Sequence, residues 1–198
     1  MGTRSKSCYA PAMTVVQRQK MRVADFLAWA EGREGKWELL DGAVVGMASE
    51  RLGHGTTIYR VVGALDRAIA AGCGSCHVVP DSVVVRIDEH TTFQPDALVY
   101  CGARLPDDTL VVEAPVVVVE VLSPGTAIRD LRDKLLGYFR VPSIHHYLIV
   151  DTERRIVIHH RRGDGDLIET RLSAGGPLAL EPPGLTVAIE DFLGPPAE

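Results

Sequence analysis

The chain has 198 residues, 46% of them hydrophobic, and carries 21 Lys and Arg against 26 Asp and Glu for a net charge of −5. That length fills one good core rather than two, and no apolar run approaches the ~20 residues a bilayer-spanning helix requires. The acidic balance argues mildly against a sequence-independent nucleic-acid coat, and it does not exclude an enzyme whose divalent-cation site brings its own carboxylates.

Residues 1–20 form a polar, basic leader without the apolar segment of a secretory signal, so the expected location is cytoplasmic. Residues 21–193 make the single expected domain, and 194–198 a proline-rich tail. Val23, Phe26, Leu27 and Ala30 recur at helical spacing and predict a helix over Val23 to Ala30. Trp37 to Leu40 and Ala43 to Met47 then read as strands joined by Asp41-Gly42, a tight hairpin turn. The stripe Ile58, Val61, Val62, Leu65 and Ile69 predicts a long helix from about His54 to Ala71, ended by Gly72 and Gly74.

Short β-rich runs follow at His77 to Val79, Ser82 to Ile87 and Ala97 to Tyr100. Val116 to Leu122 is almost wholly β-branched, as in a central strand buried on both faces. Ser123-Pro124-Gly125 breaks it, and Ile128 to Phe139 is helical again. Strands over His146 to Val150, Arg155 to His160 and about Asp166 to Leu172 complete the pattern. The segment around Pro182-Pro183 and Pro195-Pro196 is expected to have little regular structure. Helices flanking a mixed sheet define an α/β or α+β fold, with the helix after Leu122 serving as a parallel crossover.

Two carboxylates stand out. Asp96 follows Pro95 at the head of a strand, and Glu120 lies near the end of an apolar strand. Burying an unpaired carboxylate there costs several kcal/mol or drives its protonation. A basic partner or a cation resolves the problem, and hard carboxylate oxygens suit Mg²⁺ or Mn²⁺. Beyond Glu120, Asp130, Lys134 and Tyr138 share one helix face at i, i+4, i+8. Lys134 is thus either a cation for the carboxylates or a surface partner of Asp130.

Trp37-Glu38-Leu39-Leu40-Asp41-Gly42, His54, Pro95-Asp96, Glu120-Val121-Leu122-Ser123-Pro124, and Asp130 with Lys134 and Tyr138 occur in the order seen in one family. Over residues 22 to 162 the chain resembles the Uma-two family of bacterial putative restriction endonucleases, within the PD-(D/E)XK nuclease superfamily. The resemblance implies a restriction-endonuclease-like core, a mixed sheet between helices. It also implies phosphodiester hydrolysis of DNA with Mg²⁺ or Mn²⁺ on Asp96, Glu120 and the Val121 carbonyl. The lysine expected two residues after the glutamate is replaced by Leu122, and Lys134 would take its place. Glu38 matches an acidic position of the family, either as a ligand or second contact or as an exposed strand residue. His54 would approach phosphate or cap its helix; Asp81 reads as a turn residue. A homodimer is expected, because two active sites cut a duplex most simply. The alternative is a catalytically degenerate nuclease fold acting as a DNA- or protein-binding or assembly module.

The remaining motifs are bland. Cys73-Gly74-Ser75-Cys76-His77 fits a haem-attachment pattern, but with no export signal it reads as a loop with two free thiols, and all four cysteines are expected to be reduced. In His145-His146 and His159-His160, strand alternation predicts one exposed ring per pair. Arg129, Arg132, Lys134 and Arg140, followed by Arg154, Arg155, Arg161 and Arg162, are candidates for a phosphate-facing surface or for a solvated face of mixed charge.

Overall fold

A computed structural model describes residues 20–47, 50–72, 74–122 and 128–195, with the backbone alone at 128–130. The leader up to residue 19, Cys73, Ser123-Pro124-Gly125, the Arg129 and Asp130 side chains and the last three residues lie outside that description. No helix among the described residues is long and apolar enough to cross a membrane.

The first helix, α1 (Val23–Ala30), leads into the hairpin β1 (Trp37–Leu40) and β2 (Ala43–Gly46). Asp41 and Gly42 both have positive φ, 50° and 81°, as a two-residue hairpin turn of the type that matches strand twist requires. Helix α2 (Leu52–Gly72) follows, then β3 (Cys76–Pro80), β4 (Val85–Asp88), β5 (Thr91–Phe93), β6 (Ala97–Cys101) and β7 (Pro115–Val121). Helix α3 (Ile128–Tyr138) crosses over to β8 (His146–Asp151), and β9 (Ile156–Arg162) and β10 (Ile168–Ser173) extend the sheet.

The central sheet has six strands in the order β10-β9-β8-β7-β6-β3. Its parallel pair is β7 with β8, joined through α3, and the other pairs are antiparallel. Alternation along β7 sends Val117, Val119 and Val121 to one core, with Val61, Leu65 and Ile69 of α2. Val118 faces the other, with Phe93, Tyr138 and Tyr147. Glu120, two residues beyond Val118, shares the α3 face.

The expected mixed sheet flanked by helices is present, and a separate four-stranded sheet, β2-β1-β5-β4, joins it, because β5 pairs with β1 at Leu39–Thr92. Three expectations are corrected. The C-terminal segment is ordered into a hairpin, β11 (Pro177–Leu180) with β12 (Leu185–Ala188), and a short helix α4 (Ile189–Leu193). Its prolines 182 and 183 sit in the turn, where no ladder N–H is needed, while Leu178, Leu180, Leu185 and Val187 close the α2 core. Cys76 and Cys101 form a disulfide rather than free thiols, because the β3–β6 register sets them directly opposite. Their separation of 25 residues gives no local hint of the pairing. Finally, His159 and His160 are both buried. One packs on His146 and the other on Tyr147 and Thr170, so both faces of β9 are covered.

Gly137 is the tightest point of the α3 packing. A Cβ there would lie 2.3 Å from Phe93 Cε2 and 2.8 Å from Cζ, and Phe93 is itself buried against Tyr138 with ring centroids 5.2 Å apart. Alanine improves intrinsic helicity by only about 1 kcal/mol, whereas overpacking of this kind costs about 1–3 kcal/mol. Gly137→Ala is therefore expected to lower the melting temperature by up to roughly 8 °C, read by thermal denaturation. A raised melting temperature would show that α3 can shift freely.

Candidate active site

The end of β7 and the start of β6 meet at one edge of the sheet. The antiparallel ladder pairs Ala97 with Val119, so the next step outward sets Asp96 against Glu120. The Val121 N–H donates to Asp96 Oδ2 at 2.6 Å, tying the loop before β6 to the strand carrying Glu120. Both carboxylates are more than nine-tenths buried.

Helix α3 supplies the cation. Lys134 Nζ donates to Glu120 Oε1 at 2.9 Å and lies 3.2 Å from Glu38 Oε1. The Tyr138 hydroxyl donates to the same Glu120 oxygen at 2.6 Å. Lys134 and Tyr138, one helical turn apart, thus converge on one carboxylate. Lys134 is buried, not a surface residue, and reaches the glutamate that Leu122 cannot serve. Glu38 is likewise buried, and its Oε1 accepts the Gln94 N–H at 2.9 Å. The exposed-strand alternative for Glu38 does not describe this fold, because Lys134 of α3 and the loop after β5 close over its carboxylate.

The electrostatics follow from this crowding. Burial pushes the Glu120 carboxyl up to about 7, Lys134 opposes that rise, and Asp96 and Glu38 add to it. Burial also raises the Tyr138 hydroxyl, with Glu120 adding to the effect, so the phenol remains a donor. One ammonium contacts two carboxylates, Glu120 and Glu38, while a third, Asp96, lies close enough to Glu120 to raise its carboxyl, and a dication is the natural complement of such a donor set.

His54 is buried on the first turn of α2, two residues into the helix. Its Nε2 lies 3.2 Å from Asp96 Oδ1 and also contacts Glu50. Sequence reasoning missed Glu50, which precedes α2 and reaches His54 only through the fold. Asp81 occupies the turn after β3 and ion-pairs with Lys36. The arginines clustered in sequence do not form one free basic face. Arg140 pairs with Asp88, Arg154 with Asp151 and Arg161 with Glu169. Arg155 bonds the Gly194 carbonyl, and Arg162 clamps the carbonyls of Phe139, Val141 and Ile144.

Known proteins share this fold. A crystal structure of a putative nuclease of the DUF820 group from Anabaena variabilis superposes with a TM-score of 0.68, covering 87% of this chain and 97% of that one, at 14% identity. The fold is therefore nuclease-like. The model of the Uma2 family, described as putative restriction endonucleases, matches residues 23–191, and the chain belongs to that family. An uncharacterized protein of Synechocystis sp. is 28% identical over 173 residues, spanning 86% of this chain and 90% of its own length.

Proposed function

We propose that this protein is a divalent-metal-dependent nuclease that hydrolyses phosphodiester bonds in DNA. The observation that carries the reading is the buried convergence of Glu120 and Glu38 on Lys134 at the end of β7, with buried Asp96 set against Glu120 across the β6–β7 ladder. Asp96 and Glu120, with the Val121 carbonyl, are the residues to hold Mg²⁺ or Mn²⁺. Such an ion, when bound, supplies a water of lowered pKa and a countercharge for the phosphate.

The chain's own groups do the rest. Lys134 keeps Glu120 ionised against its burial and presents an ammonium next to the carboxylates, placed to offset phosphate charge. Tyr138 fixes the orientation of Glu120 by its hydrogen bond. Without a dication, burial raises the Glu120 carboxyl to about 7, and a bound cation would hold it ionised as a ligand. Glu38 anchors Lys134 from the second sheet. Two copies, one for each strand of a duplex, would complete the reaction, and cytoplasmic DNA is the expected substrate.

A metal titration combined with a cleavage assay tests this. With Mn²⁺ or Mg²⁺ at ~100 times the dissociation constant, the wild type is expected to gain about 2.7 kcal/mol, a rise of roughly 5–10 °C in melting temperature, and to cut plasmid DNA. Asp96→Ala and Glu120→Ala are expected to lose cleavage. Full cleavage by Asp96→Ala would overturn the assignment. DNA binding with neither metal stabilisation nor turnover would instead support a degenerate nuclease fold that acts as a binding module.

A further inference from the structure

Helix α2 buries Val61, Leu65 and Ile69 in the core, but its first two turns carry a second apolar stripe that stays in solvent. Leu52 and Tyr59 stand seven residues apart, two turns along one helix face, and they are 89% and 80% exposed. Gly55 lies between them, with open space where a Cβ would be. Scattered apolar side chains on a surface need no explanation. These two, however, line one 510 Å³ cavity, and His54 lines it with them. His54 Nε2 lies 3.2 Å from Asp96 Oδ1, so the stripe leads directly to the candidate active site.

The charges around the cavity sort themselves. Lys36 pairs with Asp81, and Glu50 is turned to His54. Arg51, exposed beside Leu52, has no ion-pair partner among the described residues. An exposed phenol ring and an unengaged guanidinium at the mouth of a phosphodiester site are the two groups that hold a nucleotide, one by its base and one by its phosphate. An intact duplex offers a protein the edges of its bases and its phosphates, because each base face is covered by its neighbours in the stack. An aromatic platform therefore favours bases that are unpaired. The cavity also falls within the roughly 300–1,000 Å³ of small-ligand pockets, a scale that suits nucleotides rather than a double helix.

We infer that the cleft at the head of α2 holds unpaired nucleotides of the DNA strand that enters the site, with a base stacked on Tyr59 and a phosphate on Arg51. Gly55 leaves the ring face clear, and Leu52 closes the far side of the apolar stripe. The inference rests on the nuclease reading for its ligand. It adds that the strand beside the scissile bond is bound single, or in a duplex opened locally.

Fluorescence anisotropy of the full chain in Ca²⁺, an oxygen-ligated dication, with a short end-labelled single strand and with its blunt duplex, measures the cleft apart from hydrolysis. Cleavage of the same two DNAs is followed separately in Mg²⁺ and Mn²⁺. The single strand is expected to bind more tightly than the duplex. Tyr59→Ala is expected to weaken single-strand binding by about tenfold or more and duplex binding by less than about twofold, while Tyr59→Phe keeps the wild-type affinity. Arg51→Gln is expected to reduce the slope of log affinity on log salt for the single strand by about 0.7. Tyr59 and Arg51 are both exposed, so these variants should melt with the wild type. Unchanged single-strand affinity in Tyr59→Ala, with cleavage by the wild type, would overturn the cleft and leave the nuclease reading standing. Equal weakening of single strand and duplex would mean that Tyr59 touches paired DNA, which also overturns it. Tyr59-dependent binding of the single strand without cleavage in either metal would keep the cleft and remove hydrolysis instead.

Discussion

Lys134→Ala is expected to damage both the fold and the activity, lowering the melting temperature by roughly 10 °C in metal-free buffer and cleavage by at least about 100-fold. Lys134 is buried and contacts both Glu120 and Glu38. Removing one partner of a buried ion pair typically costs about 3–5 kcal/mol, because the other charge remains in low dielectric. Here two carboxylates are left behind, and Glu120 is already held near 7 by burial. The stability loss should therefore be partly repaired in Lys134→Ala/Glu120→Gln, where one of those charges is gone. Activity should not return, because the double variant restores neither the ammonium nor the ligand. Thermal denaturation and plasmid cleavage of the two variants and the wild type separate these effects. If Lys134→Ala melts within about 2 °C of the wild type, Lys134 is not the counter-charge of the site.

The two central carboxylates were legible because each breaks a local rule. Glu120 is a charge in a β-branched strand, and Asp96 heads another strand directly after a proline. Lys134 and Tyr138 were legible through helical spacing once that face was tied to Glu120. Glu38 stayed ambiguous because alternation along Trp37–Leu40 cannot say which face will be covered. That cover comes from Lys134 of α3 and from Gln94, 56 residues away. Glu50 was invisible for a related reason, since only the approach of Asp96 gives its spacing to His54 a meaning.

The fold shows the same division. Elements with a local period, such as α2 and β7, could be read from the sequence to within a few residues. The β11–β12 hairpin has a two-residue period as well, with Leu178 and Leu180 facing Leu185 and Val187 across the ladder. Pro182-Pro183 hid it, because adjacent prolines signal a break before they signal a turn. Cys76–Cys101 and the burial of both β9 histidines depend on strand register and sheet order, which no local window contains.

Acid should destabilise the metal-free protein between pH 6.5 and about 4.5, and Glu120→Gln should make that loss steeper. His146 Nε2 donates to the Pro182 carbonyl at 2.8 Å, so in the neutral ring Nδ1 is an acceptor. His159 Nε2 therefore carries the proton in its 2.8 Å bond to His146 Nδ1. Burial lowers both rings to about 4, with neighbouring His159 adding to the effect on His146 and Arg161 and Arg171 to that on His159. A depressed histidine contributes stability that is present above 6.5 and is lost as pH falls towards 4. Glu120 acts in the opposite sense. Raised from 4.5 to about 7, it contributes stability at low pH that is lost as pH rises through neutrality. Between these limits the unfolded chain binds about two more protons at His146 and His159 and about one fewer at Glu120, with His160, also lowered by burial, adding to the histidine side. The net slope is about 1.4 kcal/mol per pH unit, and it roughly doubles when Glu120 no longer titrates. His159→Gln keeps an N–H donor for His146 without titrating near neutrality, and it should remove about one proton from the slope. Denaturant melts of the wild type, Glu120→Gln and His159→Gln in chelator across this range measure all three slopes. Parallel slopes in the three proteins would mean that neither the histidine pair nor Glu120 is coupled to folding as the packing requires.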